Sequence, residues 1–147
     1  MRSPGYRPPV LPLETPETAG FFDGARRGEL RIQACGSCGR LRHTPRPACP
    51  WCRSLARRWQ GVSGTGTIWS FVVPHPPLLP GFAELAPYNV VLVAIDEDPT
   101  VRLVGNLVAR PGGSPAEVDG STIAVGQSVS AVFPRFDGVP LLQWVRR

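Results

Sequence analysis

All four cysteines of this 147-residue chain lie in CGSCGRLRHTPRPACPWC, residues 35 to 52. They form two units, Cys35-x-x-Cys38 and Cys49-x-x-Cys52, with ten residues between them. Each unit is short enough to make a tight knuckle, and a hairpin between the knuckles brings the four sulfurs to one point. That is the geometry of a tetrahedral zinc site with Zn–S bonds of about 2.3 Å. Two disulfides are the competing use of these thiols. They are disfavoured because the N-terminus carries no charged-then-apolar secretory leader. Four sulfurs saturate the metal and leave no position for a water, so the expected site is structural and hydrolyses nothing. Gly39 is expected at positive φ after the first knuckle. His43 offers itself as a replacement ligand, but beside a full sulfur set it reads as a surface or interface histidine.

Few other long signals compete with this one. The chain has 16 glycines, 18 prolines and a hydrophobic fraction of 42%, which points to a turn-rich, folded, mostly β protein. No apolar run approaches the roughly 20 residues of a membrane span, so a soluble cytoplasmic protein is expected. All 16 basic residues are arginine, and the missing lysine excludes Schiff-base catalysis and a P-loop. The net charge of +5 is uneven. Residues 26 to 58 set nine arginines against Glu29 alone, while the remainder sets seven arginines against ten acids. Four thiolates on a divalent ion subtract two charges from the basic segment, which leaves a local and moderate positive patch.

The order of elements follows from turn chemistry and periodicity. Residues 1–13 contain four prolines and read as an extended arm awaiting a partner. Residues 14–28 read as a helix with Thr15 as N-cap, Pro16 in the first turn, Phe21, Phe22 and Ala25 on the apolar side, and a stop at Gly28. Residues 29–58 form the ribbon, entered by the alternating strand ELRIQA. Residues 59–147 supply the barrel. WQGVSGTGTIWSFVV (59–73) reads as one glycine-kinked strand with Thr67, Trp69, Phe71 and Val73 on one face. NVVLVAID (89–96) and VRLVGNLV (101–108) flank the turn Glu97-Asp98-Pro99. SVSAVF (128–133) and PLLQWV (140–145) pair around Phe136-Asp137-Gly138. The expected fold class is therefore mostly β: an N-terminal helix, a zinc ribbon, then a five-stranded OB-fold barrel. Between the first two barrel strands lies PHPPLLPGFAELAPY, residues 74–88. Leu78, Leu79, Phe82 and Leu85 there either fold over the barrel mouth or form an interface loop.

Assembled in this order, the chain resembles the family catalogued as domain of unknown function 35, a rubredoxin-like zinc ribbon joined to an acyl-CoA-associated OB-fold. The likeness spans about residues 14 to 146. FFDGARRGELRIQACGSCGRLRHTPRPACPWC, VSGTGTIWSFVV and PYNVVLVAID carry it. The resemblance implies a subunit that works with thiolase-superfamily enzymes as a hetero-oligomer, a heterotetramer among the forms. Such partners include acetoacetyl-CoA thiolase with HMG-CoA synthase, polyketide-like acyltransferases, and the aldolases of steroid side-chain degradation, the last also beside a MaoC-type hydratase. It implies Cys35, Cys38, Cys49 and Cys52 as zinc ligands and a CoA thioester as a shared ligand. It transfers no catalytic residue.

The residues fit that role better than independent catalysis. With the thiols committed, lysine absent and only His43 and His75 as histidine bases, no activated nucleophile is recognisable. The arm, the apolar loop and the arginine-rich ribbon suit a protein interface. Arg40, Arg42 and Arg46 are candidates for the partner surface or for forked contacts to CoA phosphates, against a solvated ribbon face. A nucleic-acid binder using Trp69 and Phe71 as stacking platforms is the rival from another class. The acidic second half speaks against it, and the same alternation suits a barrel core.

Overall fold

The structure is a computed structural model that describes residues 5–147, so the first four residues of the expected arm lie outside the described residues. Helix α1 (Ala19–Arg26) starts one turn later than the sequence suggests. Thr15 does act as a cap of sorts: its N–H donates to the Thr18 hydroxyl at 2.9 Å, the reciprocal half of a capping box. The intervening turn is closed by the Thr18 N–H on the Thr15 carbonyl at 3.0 Å, and α geometry begins only beyond it. The stop is where expected. Gly28 at φ +73° lets its own N–H reach the Ala25 carbonyl and the Glu29 N–H reach the Gly24 carbonyl, a Schellman end.

Strand β1 (Arg31–Cys35) is the centre of a three-stranded antiparallel sheet, flanked by β2 (Leu41–Arg42) and β3 (Arg57–Gly61). The expected single strand over 59–73 is therefore two. Trp59 pairs with Gln33 in the ribbon sheet, while β4 (Thr65–Val72) enters the barrel. Gly64 at φ +79° sits in the break, a conformation that suits a residue without Cβ.

The remaining strands are β5 (Val90–Ile95), β6 (Arg102–Leu107), β7 (Ser128–Val132), β8 (Arg135–Phe136), β9 (Val139–Pro140) and β10 (Gln143–Arg146). Four of them close a barrel with β4, in the order β10-β6-β5-β4-β7, while β8 and β9 pair only with each other. All neighbours are antiparallel except β10 and β6, which run parallel and seal it, as in an OB barrel. Asp137 and Gly138, both at positive φ, turn the short β8–β9 hairpin, and Asp98 turns β5 into β6 by accepting from the Thr100 N–H at 3.0 Å.

A register shift between Ile68 and Ser70 corrects the expected face of β4. Ile68 faces the core before the shift, Trp69 is left 48% exposed at it, and Phe71 beyond it packs against the core, so Trp69 and Phe71 do not share a surface. The core is continuous across both halves of the chain, with Leu30, Ile32, Ala34 and Leu41 of the ribbon in one cluster with Ile68, Val93, Leu103 and Trp144 of the barrel. Among the described residues, no helix is long and apolar enough to cross a membrane.

Candidate functional site

The two knuckles stand at the end of the ribbon sheet, where β1 delivers Cys35 and the loop after β2 delivers Cys49. The Sγ atoms of Cys35, Cys38, Cys49 and Cys52 all lie within 4.8 Å of one another. Cys35 and Cys52 are 3.5 Å apart and Cys38 and Cys49 3.7 Å. A tetrahedron with metal–sulfur bonds of about 2.3 Å has sulfurs about 3.8 Å apart, so the four are spaced for one ion and far beyond the roughly 2.05 Å of a disulfide. Gly39 has the expected positive φ, and its N–H closes the first knuckle on the Cys35 carbonyl at 3.0 Å. Arg53, at φ +65°, plays the same part in the second, donating to the Cys49 carbonyl at 2.9 Å.

The knuckle backbone favours the thiolate at Cys35. The Cys38 N–H, and with it that of Ser37, reaches the Cys35 sulfur at 3.4 and 3.3 Å and brings its pKa down to about 6, against the effect of burial. Cys52 is pushed up to about 11: a Ser54 backbone N–H favours its thiolate, but the Cys35, Cys49 and Cys38 sulfurs and burial outweigh it. Four such sulfurs cannot ionise together without a cation among them.

The three ribbon arginines separate in the fold. Arg40 is exposed and stacks over the Trp51 ring at 5.1 Å. Arg46 is exposed, and among the described residues only its backbone is engaged. Arg42 is not on the solvated ribbon face at all. It is 4% exposed, donates from Nε to Gln33 Oε1 at 2.6 Å, and from Nη2 to the Arg46 carbonyl at 3.1 Å. Gln33, which the alternation of ELRIQA turned outward, is itself buried because the loop after β2 folds over it and its Oε1 also accepts the Arg46 N–H. His43 is exposed and is not among the cysteine ligands.

The expected interface loop is only partly folded back. Leu78, Phe82 and Leu85 are half-buried, with Phe82 and Leu85 on the single turn α2 (Phe82–Leu85), and Phe82 lies 6.2 Å from the Tyr88 ring. Leu79 stands 73% exposed. The arm does not wait for a partner: Tyr6 meets Phe136 edge-on at 5.8 Å, Arg7 reaches Asp137 at 3.4 Å, and Pro9 packs at Gly81. Trp69 is covered on one face by the Arg102 guanidinium at 3.7 Å, so the pair of adjacent stacking platforms imagined for a nucleic acid does not form.

Three buried polar side chains escaped sequence reasoning: Gln33, Asn89 and Gln143. Asn89 ties β6 to the following loop, accepting the Leu107 N–H at 2.6 Å and donating to the Leu107 and Pro115 carbonyls. Gln143 holds the Gly112–Gly113 turn through both ends of its amide. No local pattern marks such residues, since their partners are 9 to 31 positions away.

Comparison with known proteins matches both halves. Residues 22–56 match the ChsH2 rubredoxin-like zinc ribbon domain and residues 59–134 the ChsH2 C-terminal OB-fold domain. The chain is 38% identical over 135 residues to the 3-oxo-4,17-pregnadiene-20-carboxyl-CoA hydratase alpha subunit of Mycobacterium tuberculosis. It is 41% identical over 92 residues to a probable enoyl-CoA hydratase alpha subunit of Thermomonospora curvata. These matches cover 92% and 63% of this chain but only 39% and 28% of those relatives. A solved structure described as an Ltp2-ChsH2(DUF35) aldolase contains a chain that is 32% identical, with a TM-score of 0.76 over 92% of this chain and 98% of that one. A DUF35 protein of unknown function from Sulfolobus solfataricus, 14% identical over 90% of this chain and 86% of its own, shares the fold with a TM-score of 0.60.

Proposed function

The chain belongs to the ChsH2 family of zinc-ribbon and OB-fold domains, and from that premise we propose that it is a non-catalytic accessory subunit of a thiolase-superfamily acyl-CoA enzyme. The reaction is a retro-aldol cleavage of a carbon–carbon bond in steroid side-chain degradation, with the chain bound to its partner as a hetero-oligomer. The observation that carries this reading is the likeness to the ChsH2 chain of the aldolase complex along almost the full length of both chains. The ion held by the cysteines is zinc, which four thiolates in a tetrahedron favour, and it serves the fold because no coordination position is left for a substrate. Contact with the CoA thioester falls to the ribbon arginines.

Co-expression with the thiolase-like protein encoded nearest to it tests the reading. A co-purifying complex that cleaves an acyl-CoA substrate, where neither chain does so alone, is the expected result. Failure to associate with any such protein would sink it. A second reading has its own support, since two relatives are named as hydratase alpha subunits. It assigns the chain to an enoyl-CoA hydratase of the MaoC type, and the same co-expression with such a protein, assayed for water addition, distinguishes the two.

The exposed tip of the loop offers a sharper check. Leu79→Glu removes an apolar contact and places a charge at an interface while disturbing nothing that is packed in the free chain. An unchanged melting temperature with association weakened about tenfold or more is expected, as for an anchor residue worth over 1.4 kcal/mol. Unaltered affinity would remove residues 74–88 from the interface.

A further inference from the structure

Between the ribbon and the β5–β6 turn lies a cleft of about 310 Å³, bordered by Arg42 of β2, by His43, Thr44 and Arg46 of the loop after it, by Trp51 of the second knuckle, and by Thr100 and Val101 of the barrel. Its electrostatics are one-sided. No carboxylate borders it, and among the described residues neither Arg40, Arg42 nor Arg46 forms an ion pair. Arg26, Arg31 and Arg57 of the same basic segment each have a carboxylate partner.

The buried guanidinium is what makes this more than a basic patch. Arg42 spends Nε on Gln33 and Nη2 on the Arg46 carbonyl, while Nη1 is buried with no acceptor, as is Nε2 of the neighbouring Gln33. A cation withdrawn from water and left without a counter-charge is costly to hold, and an arrangement of this kind is stable when an anion completes it. The side chains of Arg46 and Thr44 beside it also have no hydrogen-bond partner among the described residues, whereas the Thr100 hydroxyl is already given to Asp98 at 2.6 Å.

We infer that this cleft is an oxyanion site that takes a phosphate group, with the Arg42 and Arg46 guanidiniums as its charged donors and the Thr44 hydroxyl as a neutral one. Guanidinium forks match a tetrahedral phosphate, and two of them on one cleft select a doubly charged group over chloride. The phosphate comes either from the nucleotide end of a CoA thioester, in which case the inference rests on the proposed function, or from free phosphate.

The full-length, zinc-loaded chain is titrated calorimetrically at fixed ionic strength with inorganic phosphate and, separately, with adenosine 3′,5′-bisphosphate. Saturable binding of one or both is expected, weakened about tenfold or more by Arg46→Gln, as for loss of one charge-assisted hydrogen bond. Arg58→Gln, on a ribbon arginine outside the cleft, leaves the affinity unchanged. Tighter binding of the bisphosphate assigns the site to the CoA nucleotide, and equal binding assigns it to free phosphate. Arg42→Gln serves only if its circular dichroism and zinc content match the parent; Arg46→Gln and Thr44→Ala keep the test open otherwise. Absence of saturable binding to both probes, or an equal loss in Arg46→Gln and Arg58→Gln, overturns the inference. Because no partner protein is present, phosphate binding without co-purification would discard the accessory role and keep the site.

Discussion

Cys38→Ser is expected to lose the metal and to unfold the ribbon with it. Cys38 Sγ is one of four donors spaced for a tetrahedron, and a serine hydroxyl in its place is a poor ligand for a soft thiolate site. Structural zinc in small folds contributes on the order of 10 kcal/mol, comparable with the whole stability of a domain. Here the damage does not stay local. Leu30, Ile32, Ala34 and Leu41 belong to the same apolar cluster as the barrel core, so a collapsed ribbon uncovers the barrel side that they close. Zinc content by mass spectrometry and hydrogen exchange over residues 29–58 read the two effects. Partner association should vanish as well, and a variant that keeps its assembly with zinc lost would break the proposed coupling. Acidification acts in the same direction as the substitution. Metal binding displaces protons from the thiols, so zinc affinity falls as pH falls, and a strong chelator at low pH should reproduce the unfolding.

Trp144→Ala is the second large effect, and it strikes the other half. Trp144 is wholly buried on β10, the strand whose parallel pairing with β6 seals the barrel. Its indole sits close against Gly105: a Cβ at that position would stand 2.9 Å from Cδ1 and Nε1, so the ring fills the space that a side chain there would need. Truncation leaves a cavity the size of an indole and costs about 3–5 kcal/mol, a large part of a domain's stability of about 5–15 kcal/mol. Among the described residues the indole Nε1 has no acceptor. Trp144→Phe therefore gives up volume but also removes an unpaired donor, and should cost clearly less than the alanine. Urea unfolding, followed through the midpoint and slope, measures both. Equal losses for the two variants would mean that the indole's bulk is not what fills the site. Zinc stoichiometry should stay unchanged below the transition, unlike in the cysteine variant.

The elements that could be read in advance are those whose causes are local. The spacing of Cys35, Cys38, Cys49 and Cys52, the stop at Gly28 and the hairpin turn at Asp137-Gly138 are each written in a few consecutive residues, because a knuckle, a Schellman end and a tight turn depend only on neighbours. The five barrel strands were legible for the same reason, since alternation of apolar residues is a property of a short segment. Misplacements occurred where a distant contact overrode the local signal. Residues 59–73 look like one strand in the sequence because nothing nearby says that Trp59 pairs with Gln33 rather than continuing into the barrel. Alternation alone aligns Trp69 with Phe71, because a bulge arises between paired strands and is invisible in either alone.

The same division holds at the candidate sites. The metal centre was determined by sequence, since four thiols in two CxxC units have one compact way to meet. Whether an arginine is a surface charge or a buried one was decided by tertiary structure alone. Arg40, Arg42 and Arg46 look alike along the chain, yet only Arg42 lies beneath the loop with Gln33, because pairing of β2 with β1 sets Arg42 directly beside Gln33. Burial of a charge depends on what the rest of the chain lays over it, and no pattern within the segment records that.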